Sequence, residues 1–206
     1  MLDSVRIISG VPSRLRRQAA LLYYQAFREK VDALELKPGS VRQAVRLYTA
    51  SLDLDSALAA VKGHHLAGLA GLTTRTSRFL QVPWPLLVQE FGFWRALSRR
   101  MNLAIEHMHK PDPDEQHLDT LAVRASCRNR GIGTTLLREV IARAHADGFG
   151  KVTLAVVNTN SAARRLYERE GFRAVRTRHY GWLTSRGGFT SVTKMQRDLA
   201  VQAPGL

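Results

Sequence analysis

The segment LAVRASCRNRGIGTTLLREVIARA, residues 121 to 144, constrains the fold more than any other part of the sequence. Its apolar pattern changes from that of a strand to that of a helix at a turn with two arginines and two glycines. Such a turn leaves backbone N–H groups unpaired at the positive end of the helix dipole, which is an arrangement that binds phosphate. Arg128 and Arg130 add paired donors, and Gly131 and Gly133 let a ligand approach the main chain closely. The turn therefore predicts a pyrophosphate-binding site.

The spacing of the turn disfavours two common pyrophosphate ligands. A Gly-Lys-Ser/Thr ending is absent from the sequence of the turn, which argues against a nucleoside triphosphate with magnesium. Leu136 stands where a dinucleotide fingerprint needs its third glycine, and no acidic residue ends the next strand. The pattern Arg128-x-x-Gly131-x-Gly133 at a strand-to-helix junction is much more specific than Gly-x-Gly alone.

The rest of the chain alternates between strand and helix patterns. Strands are predicted over 5–10, 57–63, 66–76, 117–123, 151–157, 172–180 and 191–199. Helices are predicted from Pro12 and Ser13 to the break at 37–40, from the cap Ser40 to about Tyr48, over 86–106, over 131–148, and from Asn160 or Ser161 to Gly171. The strand over 151–157 is almost wholly apolar, which predicts that both of its faces are covered.

Residues 77–116 fit no strand pattern and carry two of the three tryptophans. Within the predicted helix over 86–106, one face holds a row of apolar residues, namely Leu87, Phe91, Trp94, Leu97 and Met101. Three interpretations stay open: a lid over a substrate pocket, a contact in a homodimer, or part of the core. Core is the usual fate of any one of these aromatic residues.

Composition and length set the class of protein. The 206 residues, 45% of them hydrophobic, suffice for one packed domain, 1–206, with 77–116 as an insertion. The single cysteine, Cys127, excludes an internal disulfide, and no apolar run approaches the roughly 20 residues that cross a bilayer. The N-terminal segment also lacks the apolar core of a signal peptide. We therefore expect a cytoplasmic protein without a membrane partner.

The formal charge of +14 allows nucleic acid, an anionic surface or a phosphate-bearing ligand as partner. The basic residues are spread along the chain and form no run of five or more, and the sequence contains no helix-turn-helix pair or aromatic RNA-binding signature. A general arginine bias with one local patch is the favoured interpretation. A nucleic-acid-binding regulator remains the less favoured alternative.

Two segments resemble the signatures of one known family. LAV followed by RNRGIG resembles the acetyl-CoA signature of the GNAT N-acetyltransferase superfamily, Gln/Arg-x-x-Gly-x-Gly/Ala, and NTNSAARRLYEREGF resembles the second signature, which ends in Gly-Phe. The resemblance implies an α/β fold with a mixed, mostly antiparallel sheet flanked by helices, and a helical insertion between the third and fourth strands. It also implies acetyl-CoA as cofactor and an amine of a small molecule, amino acid, peptide or protein as acceptor. A module that senses acyl-CoA without catalysis is a further alternative.

The resemblance carries functional roles to individual positions. It implies that the main chain of Leu121 and Val123 pairs with the pantetheine arm where the fourth and fifth strands splay apart. It implies that Tyr167 is the general acid. The implied cofactor-binding residues are Leu121, Ala122, Val123, Arg128, Asn129, Arg130, Gly131, Ile132, Gly133, Thr134, Asn158, Asn160, Ala163 and Tyr167.

Direct acyl transfer needs an acid and a base. A phenol with a pKa near 10 stays protonated at neutral pH, so Tyr167 can donate to the leaving thiolate, although a structural tyrosine in the core is the alternative. Strand alternation places four residues on one face, namely His117, Asp119, Leu121 and Val123. His117 suits a base at neutral pH, and Asp119 can orient it, act through water or hold a cationic substrate. Competing carboxylates nearby are Glu106, Asp114 and Glu115.

Two other features carry weaker signals. His107 and His109 supply two metal ligands without a clear third, so no metal site is predicted. Cys127 lies beside the basic turn, where its pKa can fall, but a passive small residue is the favoured interpretation.

Overall fold

The structure, a computed structural model, describes residues 5–33, 36–106 and 110–199. The strands are β1 (Arg6–Ser9), β2 (Leu58–Lys62), β3 (His65–Thr73), β4 (Glu115–Val123), β5 (Lys151–Val157), β6 (Arg173–His179) and β7 (Ser191–Asp198). The helices are α1 (Arg16–Ala26), α2 (Arg28–Ala33), α3 (Val41–Ser51), α4 (Trp84–Phe91), α5 (Phe93–Glu106), α6 (Ile132–Ala146) and α7 (Ser161–Arg169).

The seven strands form one sheet in the order β1-β2-β3-β4-β5-β7-β6, and only the β4–β5 pair is parallel. The predicted mixed, mostly antiparallel sheet with flanking helices is therefore confirmed. The helices begin where local capping predicts: the Ser40 hydroxyl accepts from the Gln43 amide at 3.2 Å, and the Asn160 side chain accepts from the Ala163 amide at 3.1 Å.

Two hydrophobic clusters cover opposite faces of the sheet. The first contains buried residues of α1 to α5 together with residues of β2, β3 and β4, such as Leu69 and Ala122. The second packs α6 and Tyr167 of α7 against the other face, including Leu154 of β5 and Met195 of β7. Among the described residues, the first cluster draws nothing from β5, β6 or β7. Helices α1 to α5 thus cover only the β1–β4 half of the sheet.

The segment between β3 and β4 differs from the single helix predicted over 86–106. Gly92 has a φ of 75°, which ends α4 and starts α5 in a new direction. Leu87 of α4 is fully buried, whereas Trp94 of α5 is 79% exposed. The expected core position of Trp94 is therefore wrong, because the turn at Gly92 directs its side of α5 away from the core.

Two strand predictions also need correction. β4 begins at Glu115 rather than His117, because Glu115 and Gln116 already pair with β5. The expectation that both faces of β5 are covered is wrong, since Ala155 is exposed. Although the sequence of β5 is apolar along its length, both faces of the strand are covered only in its first half.

Candidate active site

The turn before α6 presents unpaired backbone amides. Asn129 and Gly131 have φ values of 58° and 78°, and the first amide used by the helix is that of Thr135, which donates to the Gly131 carbonyl at 2.9 Å. Within the described chain, the amides of residues 129 to 134 have no hydrogen-bond partner. Arg128 and Arg130 are exposed beside them. The turn is therefore a cationic nest of free N–H groups, as its sequence predicts.

Strands β4 and β5 separate next to this turn. Their parallel pairing runs from Glu115 opposite Lys151 to Leu118 opposite Leu154 and stops there. At the end of β4, the Arg124 amide donates to Ala67 of β3 at 2.9 Å, so strand alternation directs the main chain of Val123 towards β5. The Val123 carbonyl is reached there by Nε of Arg128 at 3.1 Å. The predicted splay is observed, and it leaves a strand edge beside the basic turn.

Gly133 keeps the space between β4 and α7 open. A Cβ atom at this position would lie 3.6 Å from Val123 Cγ2 and 3.8 Å from Leu166 Cδ2. These are ordinary van der Waals distances, so a methyl group would fit, whereas a larger side chain would fill the gap between the strand and the helix. The glycine therefore opens a passage from the turn into the splay.

A β-bulge in β4 corrects the predicted face of the strand. Gly71 of β3 pairs with Thr120 and Leu72 pairs with Leu118, which leaves Asp119 as an extra residue. Leu118 and Leu121 consequently contact the same hydrophobic cluster, on the side of α6. The predicted common face of His117, Asp119, Leu121 and Val123 is therefore wrong, because the bulge reverses the alternation after Asp119.

The bulge separates the residues expected to share the base function. The Asp119 carboxylate accepts from the Thr73 hydroxyl at 2.7 Å, and Thr73 in turn accepts from the Phe79 amide at 3.0 Å. His117 bonds instead to Thr153, with 2.8 Å between Nδ1 and Oγ1. Among the described residues, Asp119 makes no hydrogen bond to His117, so it does not orient that ring.

The Thr153 hydroxyl fixes the tautomer of His117. The Thr153 hydroxyl donates its single proton to Oε1 of the fully buried Glu115. The Thr153 oxygen therefore accepts the hydrogen bond from Nδ1–H of His117. Lys194 also donates to Glu115 Oε1 at 3.0 Å, which balances the buried carboxylate. In the neutral ring, the lone pair consequently lies on Nε2.

Glu115 lies in this network as the carboxylate that accepts from Thr153 and Lys194, and its role as a competing base stays a prediction. Thr73, Thr153 and Lys194 were not singled out in the sequence, although Thr153 does interrupt a strand that is otherwise rich in apolar residues. Among the other competitors, Asp114 pairs with Lys151 at 3.3 Å, and nothing is described of the Glu106 side chain. Lys151 also bonds Asp112 at 2.8 Å and thereby lowers the pKa of that carboxyl, so one cation already engages both aspartates of the acidic loop.

Tyr167 lies at the inner side of α7. It is 8% exposed, and its ring lies 6.0 Å from that of Phe172. Burial raises the pKa of Tyr167 to about 12. In the described part of the chain, its hydroxyl has no hydrogen-bond partner. The neighbour expected for a purely structural tyrosine is therefore not present among the described residues.

Three predicted cofactor contacts fall on groups already engaged in the fold. The Asn158 side chain accepts from the amides of Thr190 and Ser191 and donates to the Thr190 hydroxyl. The Asn160 side chain and the Ala163 amide bond each other at the start of α7. These residues shape the loop and helix beside the splay, and their direct contacts with a cofactor stay predictions.

No metal site or membrane span emerges from the described residues. His107 and His109 lie outside them, and within them no three His, Cys, Asp or Glu side chains are grouped as metal ligands. None of the described helices combines the length and apolar character needed to cross a bilayer. Cys127 is partly buried in the short turn before the nest.

Comparison with known proteins places this geometry among acetyltransferases. The model of the Acetyltransferase (GNAT) family matches residues 52–172. "Probable N-acetyltransferase camello" of Xenopus laevis is 42% identical over 64 residues, which are 31% of this chain and 29% of that protein. The match thus spans less than a third of the relative's length.

Solved structures match over nearly the whole chain. The ribosomal-protein-S18-alanine N-acetyltransferase of Escherichia coli has a TM-score of 0.58 at 16% identity, covering 98% of this chain and 99% of that one. A GCN5-related N-acetyltransferase of Kribbella flavida has a TM-score of 0.61 at 20% identity, covering 95% and 98%. A Bacillus subtilis acetyltransferase in complex with CoA has a TM-score of 0.56 at 16% identity, covering 95% and 99%. These likenesses establish a common fold.

Proposed function

The chain belongs to the GNAT acetyltransferase family, and we propose that it moves an acetyl group from acetyl-CoA directly to a primary amine. The observation that carries the proposal is the junction of a splayed strand edge with a nest of free amides at residues 129 to 134. A strand edge suits an extended amide-containing arm, and a cationic nest suits a diphosphate. Coenzyme A combines both groups in one molecule.

The residues present fit this cofactor. Arg128, Arg130 and the amides of residues 129 to 134 would hold its diphosphate, and the Val123 edge would pair with its pantetheine arm. The Arg128 side chain lies between the turn and the splay, so it can move from the Val123 carbonyl to a phosphate oxygen. When bound, acetyl-CoA supplies the acetyl thioester.

We assign the acid role to Tyr167. Its pKa of about 12 keeps the hydroxyl protonated throughout the physiological range, and no neighbour among the described residues holds that proton. The hydroxyl can therefore donate to the sulfur that leaves the acetyl group. The location of Tyr167 on α7, in one hydrophobic cluster with Leu118 and Leu154 at the last paired position of β4 and β5, supports this role.

We assign the base role to Nε2 of His117. An alkylamine with a pKa of about 10.4 is almost wholly protonated at neutral pH, so it must lose a proton before it attacks the thioester. Thr153, itself held by Glu115, fixes the histidine tautomer that leaves Nε2 able to accept this proton, directly or through water. Asp119, on the bulge two residues away, would hold the cationic amine.

The proposed acceptors share one group, a primary amine. Small amines, amino acids, peptides and protein lysines all satisfy the proposed chemistry. The Escherichia coli neighbour acts on an alanine of ribosomal protein S18, which supports keeping polypeptides among the acceptors. For the exposed Trp94 side of α5, a lid over a substrate pocket and a contact in a homodimer both remain proposals.

The proposal is tested by incubating the protein with acetyl-CoA and a panel of amines while free thiol is measured. We expect thiol release that depends on the amine, with a matching acetylated product by mass spectrometry. Tight binding of acetyl-CoA without thiol release from any amine would instead identify a module that senses acyl-CoA. Absence of acetyl-CoA binding would remove both functions.

A further inference from the structure

We infer that the acceptor is an acidic polypeptide, which binds on an open cationic face of the sheet formed by β5, β7 and β6. This inference rests on the proposed acetyl transfer, because it assigns the acceptor of that same site. It comes from three observations on the described residues: none of their helices covers the face, the face carries arginines without a carboxylate partner, and it continues into the His117 network.

The face is open because helices α1 to α5 end their packing at β4. Ala155 of β5 is exposed at the middle of the sheet, and all seven residues of β6 are exposed. The turn over Gly181–Gly187 contacts α2 and limits the face at one end. A sheet face of this width without a cover is available to a ligand.

Strand register places a row of cations on this face. Residues directly opposite each other in antiparallel strands share a face, and Thr153, Ala155 and Val157 of β5 lie opposite Gln196, Lys194 and Val192 of β7. The same β7 residues lie opposite Arg173, Arg176 and Arg178 of β6. Because the Thr153 side chain bonds His117, these cations share the face that holds the proposed base.

Only part of this charge is neutralised within the protein. Lys194 pairs with Glu115 and Arg173 with Asp198, whereas Arg176 and Arg178 have no carboxylate partner among the described residues. Arg176 lies directly opposite Lys194, whose charge Glu115 already balances, so the uncompensated charge on this face belongs to Arg176 and Arg178. An anionic ligand would pair with these two arginines, which is the reason to assign this face to binding.

The proposed chemistry selects a polypeptide as the anion. Acyl transfer requires a primary amine, which polypeptides carry at lysines and at their N-termini and which nucleic-acid bases do not offer as an alkylamine. β6 lies three strand spacings from β4, the strand that carries His117 and Asp119, which is about 14 Å and is crossed by an extended peptide in about four residues. We therefore expect acidic residues from about the fourth position after the acceptor amine.

The experiment compares two peptides of equal length with the same acceptor amine. One carries Glu at the fourth to seventh positions from the amine, and the other carries Gln there. We expect kcat/KM to be about tenfold higher for the Glu peptide, as for two partly exposed ion pairs, and the preference to shrink as salt is raised. The double variant R176E/R178E should abolish the preference. The matched control R14E/R42E changes the net charge equally on the helical side and should retain it.

Peptide binding is also followed by fluorescence anisotropy, which needs no turnover. Equal kcat/KM for the two peptides, or a preference that survives R176E/R178E, overturns the inference while leaving acetyl transfer intact. Tighter binding of a single-stranded oligonucleotide than of the Glu peptide would reassign the face to nucleic acid. Absence of transfer to any amine would contradict the proposed function instead, whatever the anisotropy shows.

Discussion

The β1–β4 half and the β5–β7–β6 half of the sheet are both built from paired strands, but they differ in how far their residues are buried. β3 is buried at every position from Leu66 to Thr73, whereas β6 is exposed at all seven of its positions. The helices that precede β4 in the chain cover one face of the first half, and α6 packs across the other face from β2 to β5. Among the described residues, no helix of the first cluster extends over β5, β7 or β6. The splay between β4 and β5 lies at the boundary of these halves.

The difference teaches where stability and function are located. Burial of apolar area is the main source of folding free energy, so the β1–β4 half carries most of it. The β5–β7–β6 half retains exposed charge and edge, which are the requirements for binding. Substitutions in the two halves should therefore separate loss of stability from loss of transfer.

The largest expected effect is on turnover, from Tyr167→Phe at the boundary. Loss of the acid should lower kcat by about 10²- to 10⁴-fold, with the Kd for acetyl-CoA little changed. The matched control is Tyr24→Phe in α1. The Tyr24 hydroxyl donates to Asp32 at 3.0 Å, and both residues are distant in sequence from the splay between β4 and β5. Tyr24→Phe should lose about 1 kcal/mol of stability and keep its kcat. An unchanged kcat in Tyr167→Phe would remove the acid role.

The raised pKa of Tyr167 also predicts a pH dependence of stability. The folded-state pKa of about 12 lies above the unfolded value near 10, so the folded state binds this proton more tightly. The contribution, about 2 to 3 kcal/mol, is complete below pH 10 and is lost as the pH rises to 12.

This dependence is measured as the difference in unfolding free energy between the native protein and Tyr167→Phe from pH 8 to 12. Subtraction cancels the titration of the other groups. A constant difference across that range would show that the phenol is not desolvated in the folded state.

A third prediction compares the loss of unfolding free energy when valine is replaced by alanine in each half of the sheet. Val61→Ala in β2 removes a side chain that is 5% exposed and should cost about 2 kcal/mol of unfolding free energy. Val175→Ala in β6 removes one that is 46% exposed and should cost less than about 0.5 kcal/mol. Urea denaturation of both variants measures the two values. Equal costs would mean that β6 is covered in solution, for example by a second copy of the chain.

The short-range features of this fold were predictable from sequence, since each is specified by a few adjacent residues. Ser40 caps its helix, Gly131 adopts a positive φ at the nest, and the GNAT-like signatures locate Tyr167 on α7. The phosphate turn was predicted for the same reason, because the first turn of a helix leaves its amides without partners within the helix and glycine permits the positive φ that exposes them.

The features that failed prediction depend on partners distant in sequence. The bulge at Asp119 arises from the register of β4 against β3, and no residue of β4 alone signals it. The Glu115–Thr153–His117 network joins β4 to β5, and Glu115 and Thr153 are 38 residues apart in the sequence. Exposure of Ala155 depends on how far the helices extend over the sheet, which the apolar pattern of β5 does not encode.

The smallest expected effects distinguish two glycines at the boundary of the halves. Gly131 is required for its backbone conformation. A Cβ there would meet no atom within 4 Å, but the φ of 78° should make Gly131→Ala cost about 1 to 2 kcal/mol of stability.

Gly133 is required for its lack of a side chain, because its backbone is helical and it faces Val123 and Leu166. Gly133→Val should leave stability nearly unchanged and raise the Kd for acetyl-CoA about tenfold, a loss of about 1.4 kcal/mol. Calorimetric titration and thermal unfolding of both variants measure the two effects separately. Full affinity in Gly133→Val would place the cofactor outside the gap between β4 and α7, and the splay would then lose its assignment as the binding edge.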